Sequence, residues 1–233
     1  MNAPDEPRAP DWLDVAVPLL LMVFPGVFAM QALDGLGAVP EGPTNSAEWT
    51  ELRVGLQGLN CLLVVTWMFL ARRSLRFGSP ASCRTLGAYF LFMVAWVPVA
   101  MKGYPWVVER LADPLQPQPH LFYFADADFS RPGLWGCLTV VVLLGPLAEE
   151  VVFRGYLYGA AKKALGAGKA LLLTSALFGL IHGGYYAFPL ALLGLLFGWL
   201  REQSGGLAAP FLAHAVHNSI VVAVVLLFPS LVQ

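Results

Sequence analysis

Long hydrophobic runs separated by shorter polar stretches dominate this sequence. The seven runs are about Trp12–Met30, Leu52–Ala71, Leu86–Met101, Leu134–Lys163, Ala170–Gly183, Phe188–Leu200 and Leu207–Phe228. A straight helix needs about 20 predominantly apolar residues to cross a bilayer, so the third, fifth and sixth runs are the weakest candidates. The pattern predicts an all-α, polytopic transmembrane helical bundle, with its two longest loops at Gln31–Glu51 and Lys102–Pro132.

The composition supports an integral, multi-pass membrane protein whose first partner is the lipid bilayer. Hydrophobic residues make up 58% of the 233 residues and charged residues only 12%, whereas a soluble domain has about 25% charged residues. A net charge of −1 gives no indication of nucleic-acid binding, and the three cysteines have no metal-binding spacing. The alanine-, leucine- and proline-rich composition is compatible with a bacterial inner-membrane protein.

The fourth hydrophobic run carries charge near its middle. Glu149, Glu150 and Arg154 follow a nearly uncharged stretch, 133–146. A charged side chain at bilayer depth is costly, so such residues face the protein interior and often mark function. On an α-helix Glu150 and Arg154 are four residues apart and can pair on one face, while Glu149 points about 100° away. We therefore expect the two carboxylates to have different roles.

Three histidines and an asparagine lie in the later runs. His182 is near the end of the fifth run, and His214, His217 and Asn218 lie within the seventh. Since a polar group left in hydrocarbon costs several kcal/mol, we expect these side chains to gather with the charged residues in one interior cluster. A carboxylate and a histidine can take a proton from water, and histidine and asparagine N–H groups can stabilise an oxyanion. The mixture suits hydrolysis of a carbonyl compound by activated water.

Three motifs in this order resemble the CPBP family of CAAX proteases and bacteriocin-processing enzymes, also called Abi. They are Glu149-Glu150-x-x-x-Arg154, Phe178-x-x-x-His182 and His214-x-x-x-Asn218. The resemblance covers about residues 134–228, which we expect to form the catalytic core, whereas residues 1–133 supply further transmembrane helices and loops. The family is described with an eight-helix core, so an eighth helix is expected within 102–132.

The resemblance implies a glutamate-dependent intramembrane endopeptidase related to the Ras-converting enzyme. Glu149 matches the glutamate that activates water, with His182 assisting. His214 and Asn218 match the oxyanion stabilisers, and Glu150 and Arg154 match a supporting pair. No cofactor is implied, and the expected substrate is a protein or peptide with a membrane-associated or C-terminal tail.

Other functions use the same residues. A zinc-dependent protease could bind its metal through Glu149, His182 and His214, although the sequence lacks the His-Glu-x-x-His motif. A non-enzymatic scaffold or immunity protein could keep the polar cluster for helix specificity. A proton-coupled transporter would also use buried glutamate and histidine, but no inverted repeat supports it.

Overall fold

The computed structural model describes residues 12–70, 75, 77–78, 83–111, 119–183 and 186–231. Within these ranges all the regular elements are helical, which confirms the all-α prediction. The helices are α1 (Trp12–Gly35), α2 (Ala47–Leu70), α3 (Cys83–Pro98), α4 (Tyr104–Leu111), α5 (Pro119–Ala125), α6 (Pro132–Leu165), α7 (Ala167–Ile181), α8 (Ala187–Ser204) and α9 (Ala208–Leu227). Each predicted hydrophobic run overlaps one of these helices, although the third and fifth runs continue a few residues beyond α3 and α7 and Ala71 lies outside the described residues.

Four of the helices are long and apolar enough to cross a membrane, namely α1, α2, α6 and α9. The chain is therefore an integral, multi-pass membrane protein, as the composition predicts. The shorter α3 and α7 contain apolar stretches at Thr85–Trp96 and Ala167–Ile181.

The predicted loop Lys102–Pro132 contains two short helices, α4 and α5, rather than irregular chain alone. Pro105 and Pro119 stand at the start of these helices. A proline there has its φ already set for a helix, and its missing N–H breaks no intrahelical bond. Neither helix is long enough to span a bilayer, because α4 has 8 residues and α5 has 7.

The chain divides into two compact units. The first unit consists of the described residues within 12–73, 117–152 and 214–233, and the second consists of those within 74–116 and 153–213. The division falls inside α6, after Val152, and inside α9, after Ala213.

The core of the first unit joins α2, α5, α6 and α9. Its buried side chains are Val54, Phe124, Leu134, Cys137, Val140, Val222 and Val225. Gly58 allows α2 to approach α6 closely, since a Cβ at this position would lie 2.8 Å from Cγ2 of Val140. At one end of this unit, Arg131 at the start of α6 contacts Glu48 and Glu51 of α2, each at 3.0 Å. The Tyr123 hydroxyl also donates to Glu51, at 2.6 Å, so α5 is tied to the same carboxylate.

Asn60 of α2 joins the first two helices through the backbone of α1. Its Oδ1 accepts a hydrogen bond from the Gly26 N–H at 2.7 Å, and its Nδ2 donates to the Met22 carbonyl at 3.1 Å. In a regular α-helix these two backbone groups, four residues apart, bond to each other. The buried amide is therefore satisfied inside the apolar region, as a polar group at membrane depth requires.

In the second unit, α7 and α8 pack closely through small residues. A Cβ on Gly179 would overlap the Ala187 carbonyl oxygen, and a Cβ on Gly194 would lie 3.1 Å from Cα of Ser175. Small residues let two membrane helices approach backbone to backbone. The core of this unit is formed by Met93, Trp96, Leu193, Leu196, Phe197, Leu200, Ala209 and Ala213.

Candidate active site

The helix that carries the two glutamates changes its hydrogen-bonding pattern just before it reaches them. Val140–Leu144 is π-helical, and the Gly145 N–H bonds to the Val140 carbonyl, five residues back. Pro146 accounts for this change, because proline has no N–H and its ring clashes with the carbonyl four residues earlier. The Val141 carbonyl, which would accept the Gly145 N–H in an α-helix, is thereby available to another donor. π-Helical segments of this kind are frequent at functional sites.

Asn218 of α9 supplies that donor. Its Nδ2 donates to the Val141 carbonyl at 2.8 Å. An amide nitrogen carries two hydrogens, so this bond fixes the side chain and leaves the second N–H for another acceptor. The interaction holds α9 against the irregular part of α6 within the first unit.

His214 lies between the two glutamates. Its Nδ1 is 3.0 Å from Oε1 of Glu150, and its Nε2 is 3.7 Å from Oε2 of Glu149. Because a carboxylate only accepts hydrogen bonds, the shorter contact places a proton on Nδ1. The contact with Glu149 is too long for a direct hydrogen bond, although it is within ion-pairing distance. One imidazole thus connects both carboxylates.

The two glutamates differ in exposure, as their expected difference in role requires. The side chain of Glu150 is 0% exposed and that of Glu149 is 11% exposed. Glu150 is therefore positioned to hold His214, whereas Glu149 retains some access to small molecules. His217 also lies on α9, with its Nδ1 buried and without a hydrogen-bond partner in the part of the chain that the structure describes.

Arg154 lies in the second unit, in a pocket of aromatic rings. Its Nη2 donates to the Gly194 carbonyl at 3.0 Å, and the side chain is almost completely buried. The guanidinium carbon lies 4.5 Å from the ring centroid of Phe178, 5.5 Å from that of Phe197 and 5.9 Å from that of Phe153. These rings provide a face for the cation where water is absent.

His182 contacts the same phenylalanine as Arg154. It follows the last residue of α7, and its Nδ1 lies 2.6 Å from the Phe178 carbonyl. Since a carbonyl can only accept, Nδ1 carries the proton and Nε2 is left as an acceptor. The His182 ring lies 4.8 Å from the Phe178 ring, centroid to centroid. Phe178 therefore orients both of the predicted site residues in this unit.

The structure brings the predicted residues together in two groups. Glu149, Glu150 and His214 are in contact in the first unit, where Asn218 lies one helical turn beyond His214. Arg154 and His182 share Phe178 in the second unit. The pairing of Glu150 with Arg154 and the convergence of all six side chains stay predictions.

Two contributors to the site were missed by the sequence analysis. The Val141 and Gly194 carbonyls accept hydrogen bonds from Asn218 and Arg154, and backbone acceptors have no signature in side-chain identity. Pro146 was the available signal for the first, since it perturbs the carbonyls preceding it.

The described residues show no candidate metal site. No group of three or more His, Cys, Asp or Glu side chains among them has an arrangement that could hold an ion.

Comparison with known proteins identifies the segment that contains these residues. Residues 131–220 match the family model described as "Type II CAAX prenyl endopeptidase Rce1-like". This segment is therefore similar to Rce1-like proteins. The match includes Glu149, Glu150, Arg154 and His182 together with the α9 pair His214 and Asn218, and it confirms the family resemblance seen in the sequence.

Three curated bacterial proteins are similar to parts of the chain. A Bacillus subtilis protein named "Putative membrane peptidase YdiL" is 29% identical over 86 residues, which cover 36% of this chain and 35% of the relative. The UPF0177 protein YxdF of Lactococcus lactis is 29% identical over 83 residues, covering 34% and 44%. An uncharacterized 24.3 kDa protein of Escherichia coli is 34% identical over 132 residues, covering 52% and 55%.

The chain thus spans about half or less of the length of these relatives. No solved structure matches it significantly.

Proposed function

We propose that the chain is a glutamate-dependent intramembrane endopeptidase that hydrolyses a peptide bond in a membrane-associated substrate or C-terminal tail. The observation that carries the proposal is the His214 imidazole held between Glu149 and Glu150. A histidine bound to a buried carboxylate on one side and directed at a second, more accessible carboxylate on the other is an arrangement suited to proton transfer. The Rce1-like match over residues 131–220 supports the same function.

In the first step Glu149 acts as the general base. Its carboxylate accepts a proton from a water molecule, and the water oxygen forms a bond to the carbonyl carbon of the substrate. Its side chain is 11% exposed, whereas that of Glu150 is fully buried, so Glu149 is the more accessible of the two carboxylates. Glu150 does not take this role, because its side chain is fully buried and one oxygen already accepts the His214 Nδ1–H.

The negative charge that develops on the substrate carbonyl oxygen needs hydrogen-bond donors. Asn218 offers its second amide hydrogen, since the first is held by the Val141 carbonyl. When doubly protonated, His214 keeps one N–H on Glu150 and offers the other, on Nε2, to the oxyanion. Donors that are fixed before the reaction stabilise the transition state without reorganising during it.

In the last step the tetrahedral intermediate collapses. The carbon–nitrogen bond breaks, and the protonated Glu149 returns its proton to the leaving amine, so the carboxylate is regenerated. The assisting role of His182 stays an expectation of the family resemblance. The Phe178 carbonyl holds the Nδ1 proton of His182, and this tautomer leaves Nε2 with a lone pair that can accept a hydrogen bond.

The proposal is tested by comparing the termini of membrane proteins in cells that express the wild-type chain or the Glu149→Gln variant. We expect a set of new termini that requires Glu149. Glu109→Gln is a matched control, because Glu109 is an exposed glutamate on α4. Identical termini in wild type and Glu149→Gln, with both proteins present in the membrane, would refute proteolysis and favour a scaffold or immunity role.

The zinc-dependent alternative is separated by metal analysis of the purified protein and by adding a chelator. The glutamate mechanism predicts that cleavage of a substrate found in the terminus comparison continues after chelation. A stoichiometric metal together with activity that is lost on chelation and restored by zinc would instead require a ligand role for Glu149, His182 and His214.

A further inference from the structure

A groove of about 350 Å³ lies on the surface of α1 and α2. Its lining residues come earlier in the sequence than those of the candidate active site. Its apolar wall is formed on α1 by Val23, Val27 and Met30 and on α2 by Leu56. Gly26 lets the two helices approach closely, since a Cβ there would lie 2.9 Å from Nδ2 of Asn60. Both helices are long and apolar enough to cross a membrane. The medium that meets this groove is therefore the bilayer.

The lining of the groove also includes polar side chains. Arg53, Gln57 and Asn60 contribute to it at intervals of four and three residues, which places them on one face of α2. Gln31 of α1 joins them, and the residues Gln31, Arg53 and Gln57 are exposed. Exposed polar side chains on a membrane-spanning helix are unusual, since polar groups in contact with hydrocarbon alone are costly.

Two of the polar residues, Asn60 and Arg53, mark the two ends of the groove. Asn60 bonds to Met22 and Gly26, so it marks the deeper end. Arg53 lies seven residues before Asn60, or about 10 Å nearer the start of α2. The Arg53 guanidinium lies 5.5 Å from the ring of Trp49, and tryptophan and arginine together are typical of the membrane–water interface. The cation is thus at the shallow end, and the apolar wall runs inward from it.

We propose that this groove binds one anionic phospholipid of the surrounding bilayer. The phosphate is held by Arg53, the glycerol-ester oxygens accept hydrogen bonds from the amides of Gln31 and Gln57, and an acyl chain lies along Val23 and Val27. The Arg53 cation thus complements the phosphate, the two amides complement the ester oxygens, and the apolar side chains complement the acyl chain. A free anion would match only the Arg53 end, and a wholly apolar chain would leave the amides facing hydrocarbon.

The test uses the full-length chain, purified in detergent and mixed with equal amounts of phosphatidylglycerol and phosphatidylcholine. Native mass spectrometry measures which lipid stays bound. We expect phosphatidylglycerol to be retained in preference, at a one-to-one ratio, and Arg53→Gln to lower its retention about fivefold or more, as the loss of one basic side chain at a headgroup predicts. Arg110→Gln is the matched control, because Arg110 is also exposed and lies over a tryptophan, Trp106, but is not part of the groove.

Two further measurements decide whether the groove itself is the site. Val27→Trp fills the apolar wall at an exposed position and should also lower phosphatidylglycerol retention. Glycerol phosphate, which has the headgroup without acyl chains, should not displace the lipid at equal concentration. Equal loss in Arg53→Gln and Arg110→Gln, no preference over phosphatidylcholine, no effect of Val27→Trp, or displacement by glycerol phosphate would each overturn the proposal. Because these readouts do not involve proteolysis, they are independent of the proposed enzymatic function.

Discussion

The Nδ1 atom of His214 lies 3.0 Å from Oε1 of Glu150, a carboxylate whose side chain is completely shielded from solvent. This contact fixes the ring on one side, so the other nitrogen is directed at Glu149, 3.7 Å away. The pair of adjacent glutamates therefore has unequal tasks: one holds the histidine, and the other is left for chemistry. The predictions below test that division and the contacts supporting it.

The first prediction compares the two glutamates. Glu149→Gln should leave the protein folded but lower turnover by about 10²–10⁴-fold, since it removes the general base while keeping size and hydrogen-bonding groups. Glu150→Gln should cost less, because the amide oxygen can still accept the His214 Nδ1–H. The measurement is cleavage of a substrate from the terminus comparison, in liposomes, with thermal unfolding followed separately. Full activity of Glu149→Gln alongside an inactive Glu150→Gln would reverse the assignment.

The second prediction concerns Asn218. Asn218→Ala should lower turnover by about 10²–10³-fold if the amide is one of two oxyanion donors. It should also destabilise the fold by about 1–3 kcal/mol, since the Val141 carbonyl loses its donor. The neighbouring Ser219→Ala is the control, because Ser219 is an exposed residue whose hydroxyl donates within α9, to the Ala215 carbonyl. Equal effects of the two substitutions on activity would remove Asn218 from the mechanism.

The third prediction separates the two histidines of α9. His214→Ala should reduce turnover by about 10²–10³-fold, as expected for an oxyanion donor. His217→Ala should have the smaller effect, because the described residues show no contact between His217 and either Glu149 or Glu150. Both variants are compared with wild type in the same cleavage assay. A larger loss in His217→Ala than in His214→Ala would contradict the site as described.

The fourth prediction concerns the aromatic pocket of Arg154. Arg154→Leu should destabilise the protein by about 1–3 kcal/mol or more, because the Gly194 carbonyl loses its donor and the surrounding rings lose the cation, and activity should fall with it. Arg154→Lys should recover little, since an ammonium cannot stack on Phe178 as a planar guanidinium does. Thermal unfolding in detergent measures both. A stable, fully active Arg154→Leu protein would show that the pocket is dispensable.

The fifth prediction tests the close approach of α7 and α8. Gly179→Ala should destabilise the second unit by at least about 1–3 kcal/mol, because the new Cβ overlaps the Ala187 carbonyl oxygen and forces the helices apart. Gly168→Ala on the same helix has no atom within 4 Å of its Cβ, so its effect should be near zero or slightly stabilising. Chemical denaturation of both variants provides the comparison. Equal free energies of unfolding for the two variants would mean that α7 and α8 are not packed closely at Gly179.

The sequence predicted the helices well, because long apolar runs leave few alternatives in a bilayer, where each backbone group must be satisfied internally. All seven runs overlap helices. The short helices α4 and α5 were harder to see. Their residues, among them Arg110 and His120, lack the long apolar pattern that marks a span, and proline can mean either a loop or a helix start.

For the site, the types and order of the residues predicted which side chains act together, but they did not predict the hydrogen-bond partners. Glu149, Glu150 and His214 could be expected to meet because charges in hydrocarbon seek each other. The bond from Asn218 to the Val141 carbonyl depends on a local change of helix type, which an assumed regular α-helix cannot reveal. Likewise, Val151–Leu157 is π-helical, so the argument from four-residue spacing does not hold through Arg154.

The hydrogen bonds of Asn60 have a consequence for the order of assembly. During synthesis α1 enters the membrane before α2 exists, so the Gly26 N–H and the Met22 carbonyl have only each other as partners. Once the second span is in place, the Asn60 amide supplies an acceptor to the Gly26 N–H and a donor to the Met22 carbonyl. These two bonds can therefore form only when both spans are present as a helical hairpin.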